Sequence, residues 1–379
     1  MRKLSNHSSP LENPVSRRGF VSSCGAALTL GVASNAFAAP AIVTGKRTQA
    51  QGEQEVVIGK GDFQYKVSHA FCQLPDRFTW QTTHNVCVDA ENNLYVIHEG
   101  QSSKKDHPAI FVFDSTGKFV RAFGSQFQGG GHGIEIRKEG TEEFLYVAAY
   151  QGVKSIAKMT LDGSIVWYRK APMESGVYDE GEDTSTKSTW TRKGFLPTNF
   201  TFLDDGGFLL ADGYGTYFIH EYDADGNWKR CFGGPGEGKG KFNLCHGLWL
   251  DDRPGREANL YVTDRSVNTV QVIKLDGTHV ETKTDYVLPA NVDTYRNLMV
   301  IPELGARITI LNEKDEIVAR LDEGVERLEQ FKDKKLREQP DQWKDGHFVH
   351  PHDACFDLEG NLFVAEWVKT GRVTKLTKV

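Results

Sequence analysis

The chain has few cysteines, no long apolar run outside its N-terminal part and no basic clusters. Only 6 of its 379 residues are cysteine and no CxxC pair occurs, so neither a disulfide framework nor a zinc ribbon is indicated. No segment beyond the first forty residues is apolar enough for stable membrane insertion. The net charge is -6, and a mildly acidic chain without clusters of lysine and arginine argues against nucleic acid as a partner.

The first 38 residues have the pattern of an export signal. Ser16-Arg17-Arg18-Gly19-Phe20 is typical of a twin-arginine signal, and an apolar run over residues 24–38 follows it, ending in small residues. We predict a signal peptide over 1–38 and a linker over 39–55. The mature protein is then periplasmic or extracellular, and its precursor is a partner of the twin-arginine export machinery.

The chain does have a repeated unit in which a strand of alternating residues, a polar or glycine-rich turn and a second strand follow one another. Histidine opens four of the six copies, and threonine and alanine open the other two: His84, His132, Thr198, His246, Ala290 and His352. These positions lie 48, 66, 48, 44 and 62 residues apart. A period of about 40 to 50 residues with four strands in each copy is typical of a β-propeller blade.

The repeats predict an all-β fold, a single six-bladed β-propeller over residues 56–379. The last copy, residues 352–379, holds only three strands, whereas residues 63–75 have the alternation of a further strand. We therefore expect the segment 63–74 to pair with the segment 372–376 and to close the ring, which removes exposed sheet edges. A pair of β-sandwiches is the alternative, and the regular repeats favour the ring.

The two long spacings indicate insertions. Residues 171–194 are polar, acidic at first and then basic, which predicts an ordered loop over one face. Residues 322–348 contain apolar side chains near helical spacing, which predicts a short amphipathic helix that ends at Pro340. Its apolar residues are Val325, Leu328, Phe331 and Leu336.

A residue type that recurs at one register of a propeller repeat lies on one ring around the central channel. Imidazoles brought together in this way can hold a transition metal, and catalytic zinc takes three histidines and leaves a fourth position for water or substrate. The alternative is that the histidines fill the channel with a water network.

The motifs around three of these histidines are Gly131-His132-Gly133-Ile134, Cys245-His246-Gly247-Leu248 and Pro351-His352-Asp353. With them, residues 63–379 resemble the lyase domain of peptidylglycine α-amidating enzymes, a six-bladed ring of NHL-type repeats. The resemblance implies that His132, His246 and His352 bind zinc. It also implies a structural calcium held by Asp353 and the backbone carbonyls of Val86 and Ile134. His84 is an additional channel histidine, either a fourth ligand or a substrate contact.

The same resemblance implies a catalytic pair. Asp212-Gly213-Tyr214 matches the segment that carries the family's catalytic tyrosine, and Thr263-Asp264-Arg265 matches the segment of its arginine. The family splits a peptidyl α-hydroxyglycine into a peptide amide and glyoxylate, which implies a small-molecule or peptide substrate. We expect Tyr214 to act as the base, with its pKa lowered by Arg265 and the metal. Glu99 stands where the family has an arginine for the substrate carboxylate, so the charge there is reversed.

Two other functions stay open. A non-catalytic binding propeller would present its loops to proteins or glycans, with metals serving stability only. A metal-dependent hydrolase of lactones or esters would use acidic ligands in the channel, and Glu99 and Glu366, both at second-strand ends, would support it. For Tyr214 and Arg265 the structural alternatives are a cap at a blade end and an ion pair between blades.

Overall fold

Short strands joined by tight turns make up almost all of the chain in the computed structural model. The model describes residues 55–188, 190–330 and 335–379. The predicted signal peptide and nearly all of the predicted linker lie outside the described residues. Among these residues six antiparallel sheets form. In five of them the strands pair with their neighbours along the chain, because short turns join strands into antiparallel pairs. In the sixth, the first strands of the described chain join the last three.

The first three blades each have four strands. Blade one consists of Thr83–Val88, Leu94–His98, Ile110–Phe113 and Phe119–Phe123. Blade two consists of Gly131–Glu139, Glu142–Ala149, Ser155–Thr160 and Ile165–Arg169. Blade three consists of Phe200–Phe202, Phe208–Ala211, Phe218–Tyr222 and Trp228–Gly233.

The last three blades follow the same plan with one addition. Blade four consists of Cys245–Leu250, Leu260–Asp264, Thr269–Ile273 and His279–Lys283. Blade five consists of Asp293–Tyr295, Leu298–Glu303, Arg307–Leu311 and Ile317–Leu321. Blade six has five strands: Pro351–Phe356, Leu362–Glu366, Arg372–Lys378, Phe63–Ser68 and Val57–Lys60.

The ring closes through the N-terminal part of the described chain, as predicted. Phe63–Ser68 pairs with Arg372–Lys378 in antiparallel register, with Val67 opposite Leu376. The strand is shorter than predicted and ends at Ser68. A further strand, Val57–Lys60, pairs with its outer edge and makes this sheet the widest of the six.

In the described part of the chain, six buried apolar clusters each join two neighbouring blades, and a smaller seventh lies under the second insertion. Val86 and Phe111 of blade one pack with Phe363 of blade six, which completes the circle. The six-bladed ring is therefore confirmed, and a pair of β-sandwiches is excluded. Cys87 and Cys355 lie in these clusters as free thiols, buried between blades.

Helical structure is confined to short segments of the insertions and loops. The α-helix in the second insertion is Val325–Glu329, shorter than predicted. Leu328 packs against the core between blades five and six and also against the small cluster of Leu336, Val349 and Val368. Leu336 reaches this cluster from a separate 3-10 turn rather than from a continuous helix. Phe331 lies outside the described residues. The 3-10 turns are Ser125–Phe127, Met173–Ser175, Arg265–Val267, Leu336–Glu338 and Pro340–Gln342.

Among the described residues, no helix has the length and apolar character that a membrane crossing requires.

Candidate metal centre

Each of the four channel histidines is the second residue of the first strand of its blade. In all four blades the pairing with the second strand shifts register at that position. Such irregularities redirect a side chain out of the regular pleat, and here they accompany histidines that lie in the channel. The side chains are 1–2% exposed: His84, His132, His246 and His352.

The four imidazoles form one cluster. The ring centroids of His84 lie 4.7 Å from those of His132 and His352, and the ring of His246 lies 4.9 Å from His132 and 4.7 Å from His352. The Nε2 atoms of His132 and His246 are 3.2 Å apart. Candidate ligand atoms of His84, His132 and His352 all lie within 4.8 Å of one another. The structure thus brings together every histidine that the repeat register selects.

Backbone carbonyls set the tautomer of three of these histidines. His132, His246 and His352 each direct Nδ1 to a carbonyl oxygen, at 2.9, 2.6 and 2.8 Å. A carbonyl only accepts, so Nδ1 carries the proton and Nε2 is left bare. The acceptors belong to the residues at the matching register of the following blade: Thr198, Ala290 and His84.

Among the described residues, the hydroxyl of Tyr214 is the one side-chain donor that reaches these bare nitrogens, and it can serve only one of them. No proton lies between the facing Nε2 atoms of His132 and His246 when both rings are neutral, and Nε2 of His352 is buried without a hydrogen-bond partner among the described residues. Burial lowers the pKa of all three rings well below the ordinary value, so they are neutral near pH 7. Two nitrogens on a tetrahedral zinc with bonds of about 2.0–2.1 Å are about 3.3 Å apart. The donor set therefore fits a zinc-type cation.

His84 has a different environment from the other three. Its Nε2 lies 3.4 Å from Oε2 of Glu99, and its Nδ1 is buried without a partner among the described residues. Burial raises the pKa of Glu99, but hydrogen bonds from His84 and Gln151 outweigh it and hold the pKa below the usual range. Glu99 is therefore an ionised carboxylate beside the histidine cluster.

Tyr214 and Arg265 meet the cluster at one atom. The hydroxyl of Tyr214 lies 3.0 Å from Nε2 of His246 and 3.4 Å from Nε2 of His132. Nη2 of Arg265 donates to the same hydroxyl at 2.9 Å. Burial raises the pKa of Tyr214 more than Arg265 lowers it. The lowering expected from Arg265 and a metal together stays a prediction.

A buried carboxylate holds the loop that presents Tyr214. Asp212 is fully buried and accepts the backbone N–H of Leu196 at 2.7 Å. It also accepts the N–H and the hydroxyl of Thr216, at 2.8 and 2.6 Å, and the hydroxyl of Tyr178 at 3.1 Å. Four donors on one carboxylate fix the turn from Asp212 to Thr216, and with it the position of the tyrosine.

In other blades, acidic residues at the ends of the second strands also accept N–H groups of neighbouring loops and fix those loops. In blade six, Glu366 is fully buried. It accepts two hydrogen bonds of 2.6 Å from Arg372 and one of 2.7 Å from the N–H of Val349. Its oxygens are committed to the blade, so Glu366 gives no support to a hydrolase with acidic channel ligands. The equivalent carboxylates accept the N–H groups of Val287, Asn243 and Leu244: Glu303 and Asp264.

The residue that directly follows the end of a second strand contributes to the channel mouth in several blades. The alternation pattern of the strands does not single out this position. Arg265 and Trp367 directly follow the acids of blades four and six, and Glu99 and Tyr150 directly follow the second strands of blades one and two. Tyr150 lies 5.1 Å from His132 and 5.4 Å from Tyr214 between ring centroids. Tyr150 was not predicted as part of the site.

Asp353 lies beside the histidine cluster in a second polar layer. Its Oδ2 accepts the N–H of Val86 at 2.8 Å, and its Oδ1 accepts Nδ2 of Asn291 at 2.6 Å. Burial raises its pKa to about 6. Of the two predicted carbonyl ligands, Val86 contacts Asp353 through its amide N–H. Ile134 lies in the same strand as His132. Calcium binding by Asp353 and the two carbonyls stays a prediction.

Both insertions reach the mouth of the channel. Trp190, 55% exposed, packs on Tyr150 and Tyr214 at centroid distances of 5.9 and 5.2 Å. From the second insertion, the guanidinium carbon of Arg337 lies 3.4 Å from the centroid of the Trp367 ring. The loop expected over one face thus covers the tyrosine, and neither Trp190 nor Arg337 was predicted as part of the site.

No protein-family model matches the chain. Solved structures share its fold at low identity. A protein of unknown function from Bacteroides thetaiotaomicron is 11% identical over 86% of this chain and 76% of its own, with a TM-score of 0.54. A gluconolactonase from Xanthomonas campestris is 12% identical over 86% and 95%, with a TM-score of 0.52. Virginiamycin B lyase from Staphylococcus aureus is 14% identical over 83% and 100%, with a TM-score of 0.50.

Proposed function

We propose that this protein is an exported, zinc-dependent carbon–nitrogen lyase that cleaves a carbinolamide, such as a peptidyl α-hydroxyglycine, into an amide and an aldehyde, such as glyoxylate. The carrying observation is the position of the Tyr214 hydroxyl, which is shared by Arg265 and two channel histidines. A base, a cation and bare ligand nitrogens within reach of one small group suit this reaction.

Three side chains would hold the zinc through Nε2, namely His132, His246 and His352, with His84 beside them. When bound, zinc supplies a Lewis acid that polarises a substrate oxygen. Asp353 with the carbonyls of Val86 and Ile134 would hold the structural calcium, since hard cations prefer oxygen ligands.

The bond changes balance with one base and no co-reactant. Tyr214, as phenolate, removes the hydroxyl proton of the carbinolamide; the C–O bond becomes a carbonyl as the C–N bond breaks, and a proton ends on the amide nitrogen. Arg265 stabilises the negative charge that develops on oxygen and favours the phenolate form. Burial opposes the phenolate form, and a cation held by the histidines would lower the pKa of Tyr214 in the same direction as Arg265.

Two of the structural neighbours support an enzyme over a non-catalytic binding module. Virginiamycin B lyase and a gluconolactonase are enzymes that share this fold. The hydrolase alternative is less well supported, because the carboxylate of Glu366 is committed to Arg372 and that of Asp353 to Val86 and Asn291, whereas Glu99 contacts His84.

The test compares matched variants of the exported form for metal content and for glyoxylate release from an α-hydroxyglycine peptide. Tyr214→Phe and Arg265→Ala should each lower turnover by about 10²–10⁴-fold with zinc retained. His132→Ala should lose zinc. Tyr217→Phe, in the same loop, is the control and should keep both properties.

One result would overturn the proposal. If the zinc-loaded protein releases no glyoxylate from such peptides, and Tyr214→Phe changes no activity that is found, the binding propeller replaces the lyase.

A further inference from the structure

A cleft of about 590 Å³ adjoins the histidine site between blades one and two. Its volume is in the range of ordinary ligand pockets. The cleft is formed by the loop after the second strand of blade one, the turn before blade two and the first insertion. Its polar lining includes Ser102, Gln126, Gln128, Gln151 and Thr186.

The lining is suited to a chain that alternates hydrogen-bond donors and acceptors. The amide of Gln126 offers both, and so do the hydroxyls of Ser102 and Thr186. The amide of Gln128 and Nε2 of Gln151 are already hydrogen-bonded within the protein. Among the described residues that line the cleft, Val153 is the only one with an aliphatic side chain and none is aromatic. An aromatic platform on which a sugar ring could stack is therefore missing from this lining, whereas a peptide backbone finds partners along its length.

The inner end of the cleft is tied to Glu99. Gln151 lines the cleft, and its Nε2 donates to Oε1 of Glu99. Gly129 also lines it, and its backbone N–H donates to the carbonyl of Glu99 at 2.8 Å. On its other side, Oε2 of Glu99 lies 3.4 Å from His84. Glu99 is thus the point where the cleft joins the histidine channel.

The charges at this junction orient an asymmetric substrate. The side chain of Glu99 is 25% exposed, and a carboxylate with one partner on each oxygen can accept further donors. Arg265 offers the opposite charge, and its Nη1 is buried without a partner among the described residues. A carboxylate is repelled by Glu99 and attracted by Arg265, whereas an amide N–H is attracted by Glu99.

We propose that the cleft binds the acyl-peptide part of the substrate, and that Glu99 at its inner end accepts the N–H of the amide that leaves. The inference rests on the proposed lyase function and names its substrate class: a peptide chain with a terminal α-hydroxylated residue whose carboxylate faces Arg265. The reversed charge at Glu99 then selects the orientation of the substrate rather than opposing its binding.

The first experiment measures binding without turnover. Calorimetry with chelator-treated protein uses N-acetyl-trialanine amide as the probe. Ser102→Trp and Thr186→Trp place an indole in the cleft and should each weaken binding at least tenfold, while Thr377→Trp on the outer part of blade six should not. In the zinc-loaded protein the same cleft variants should raise KM for a peptidyl α-hydroxyglycine with kcat unchanged, and should leave N-acetyl-α-hydroxyglycine unaffected.

The second experiment addresses Glu99. The wild type should bind N-acetyl-trialanine amide more tightly than the methyl ester, which lacks the terminal N–H. Glu99→Gln should reduce this preference about tenfold, because a hydrogen bond to a charged acceptor is stronger than one to a neutral acceptor. An unchanged preference would remove Glu99 from substrate recognition.

The outcomes separate the cleft from the lyase. Cleft variants that bind the peptide amide like the wild type overturn the inference, and so do variants that lose chitooligosaccharide binding alone. If no carbinolamide is cleaved but the cleft variants still lose the peptide amide, the proposed function fails and the peptide cleft stands.

Discussion

Replacing His220 by glutamine should make the protein less sensitive to acid. His220 is fully buried in the third strand of blade three. Its Nδ1 accepts Nε1–H of Trp228 at 3.1 Å, so Nε2 carries the proton and lies 2.9 Å from the hydroxyl of Tyr178. That hydroxyl donates to Asp212, which holds the loop of Tyr214. A second proton on the ring would face the indole N–H, which cannot accept it.

The size of the effect follows from the shift in pKa. Burial lowers the pKa of His220 to about 3, whereas an unfolded histidine titrates near 6.5. Because the folded value is the lower one, the unfolded chain takes up the proton first as the pH falls below about 6.5. Folding stability is then lost by about 1.36 kcal/mol per pH unit. At pH 4.5 the loss from this residue is about 2.7 kcal/mol, and at pH 7.5 it is close to zero.

Urea unfolding of chelator-treated protein at the two pH values measures the effect. The stability of His220→Gln relative to the wild type should rise by about 2.5 kcal/mol between pH 7.5 and pH 4.5. Titrating groups outside the hydrogen-bond network of His220, Tyr178 and Asp212 are present in both proteins and largely cancel in the difference. His279→Gln, on the outer strand of blade four, is the matched control. An equal difference at both pH values would refute the reasoning.

Two further substitutions test buried ion pairs. Glu366→Ala leaves Arg372, 8% exposed, without its carboxylate and should lower the free energy of unfolding by about 3–5 kcal/mol, measured as a lower urea midpoint. Glu366→Gln keeps hydrogen-bonding atoms and should lower it less. An unchanged midpoint for Glu366→Ala would contradict a structural role of this ion pair. Lys154→Ala leaves Glu182, which lies 2.7 Å from the ammonium, as an unpaired buried charge. A similar cost is expected, with faster proteolysis of residues 171–194; equal proteolysis would show that the pair does not anchor this insertion.

The fold and the histidine ring could be read from the sequence because both depend on local patterns. Strand alternation and turns recur in each copy, and the repeat places His84, His132, His246 and His352 at one register without knowledge of any distance. The role of Tyr214 was inferred from a family resemblance, because a tyrosine after Asp-Gly does not by itself indicate a function. Its hydroxyl meets the histidines only because blade three is next to both of their blades in the ring.

The remaining contacts depend on distances between blades and on the path of the insertions, which no local pattern encodes. The protonation of Nδ1 in His132 requires that the carbonyl of Thr198, 66 residues away, lie at 2.9 Å. Trp190 lies in a segment without regular secondary structure and reaches Tyr214 through tertiary packing. The predicted helix is only the five residues Val325–Glu329, and Leu336 lies in a separate 3-10 turn that packs on Val349 and Val368.

The ends of the second strands explain how a regular ring can carry an irregular site. The last residue of the second strand is a carboxylate in several blades, and it accepts N–H groups of the neighbouring loop, as Asp264 and Glu366 do. These residues therefore stabilise the fold. The side chain of the residue directly after the strand does not anchor these loops, and this position holds Glu99 in blade one and Arg265 in blade four. Because the scaffold fixes where this second ring lies but not which residues occupy it, substitutions there should alter recognition or turnover with little effect on stability. Substitutions one residue earlier should do the reverse.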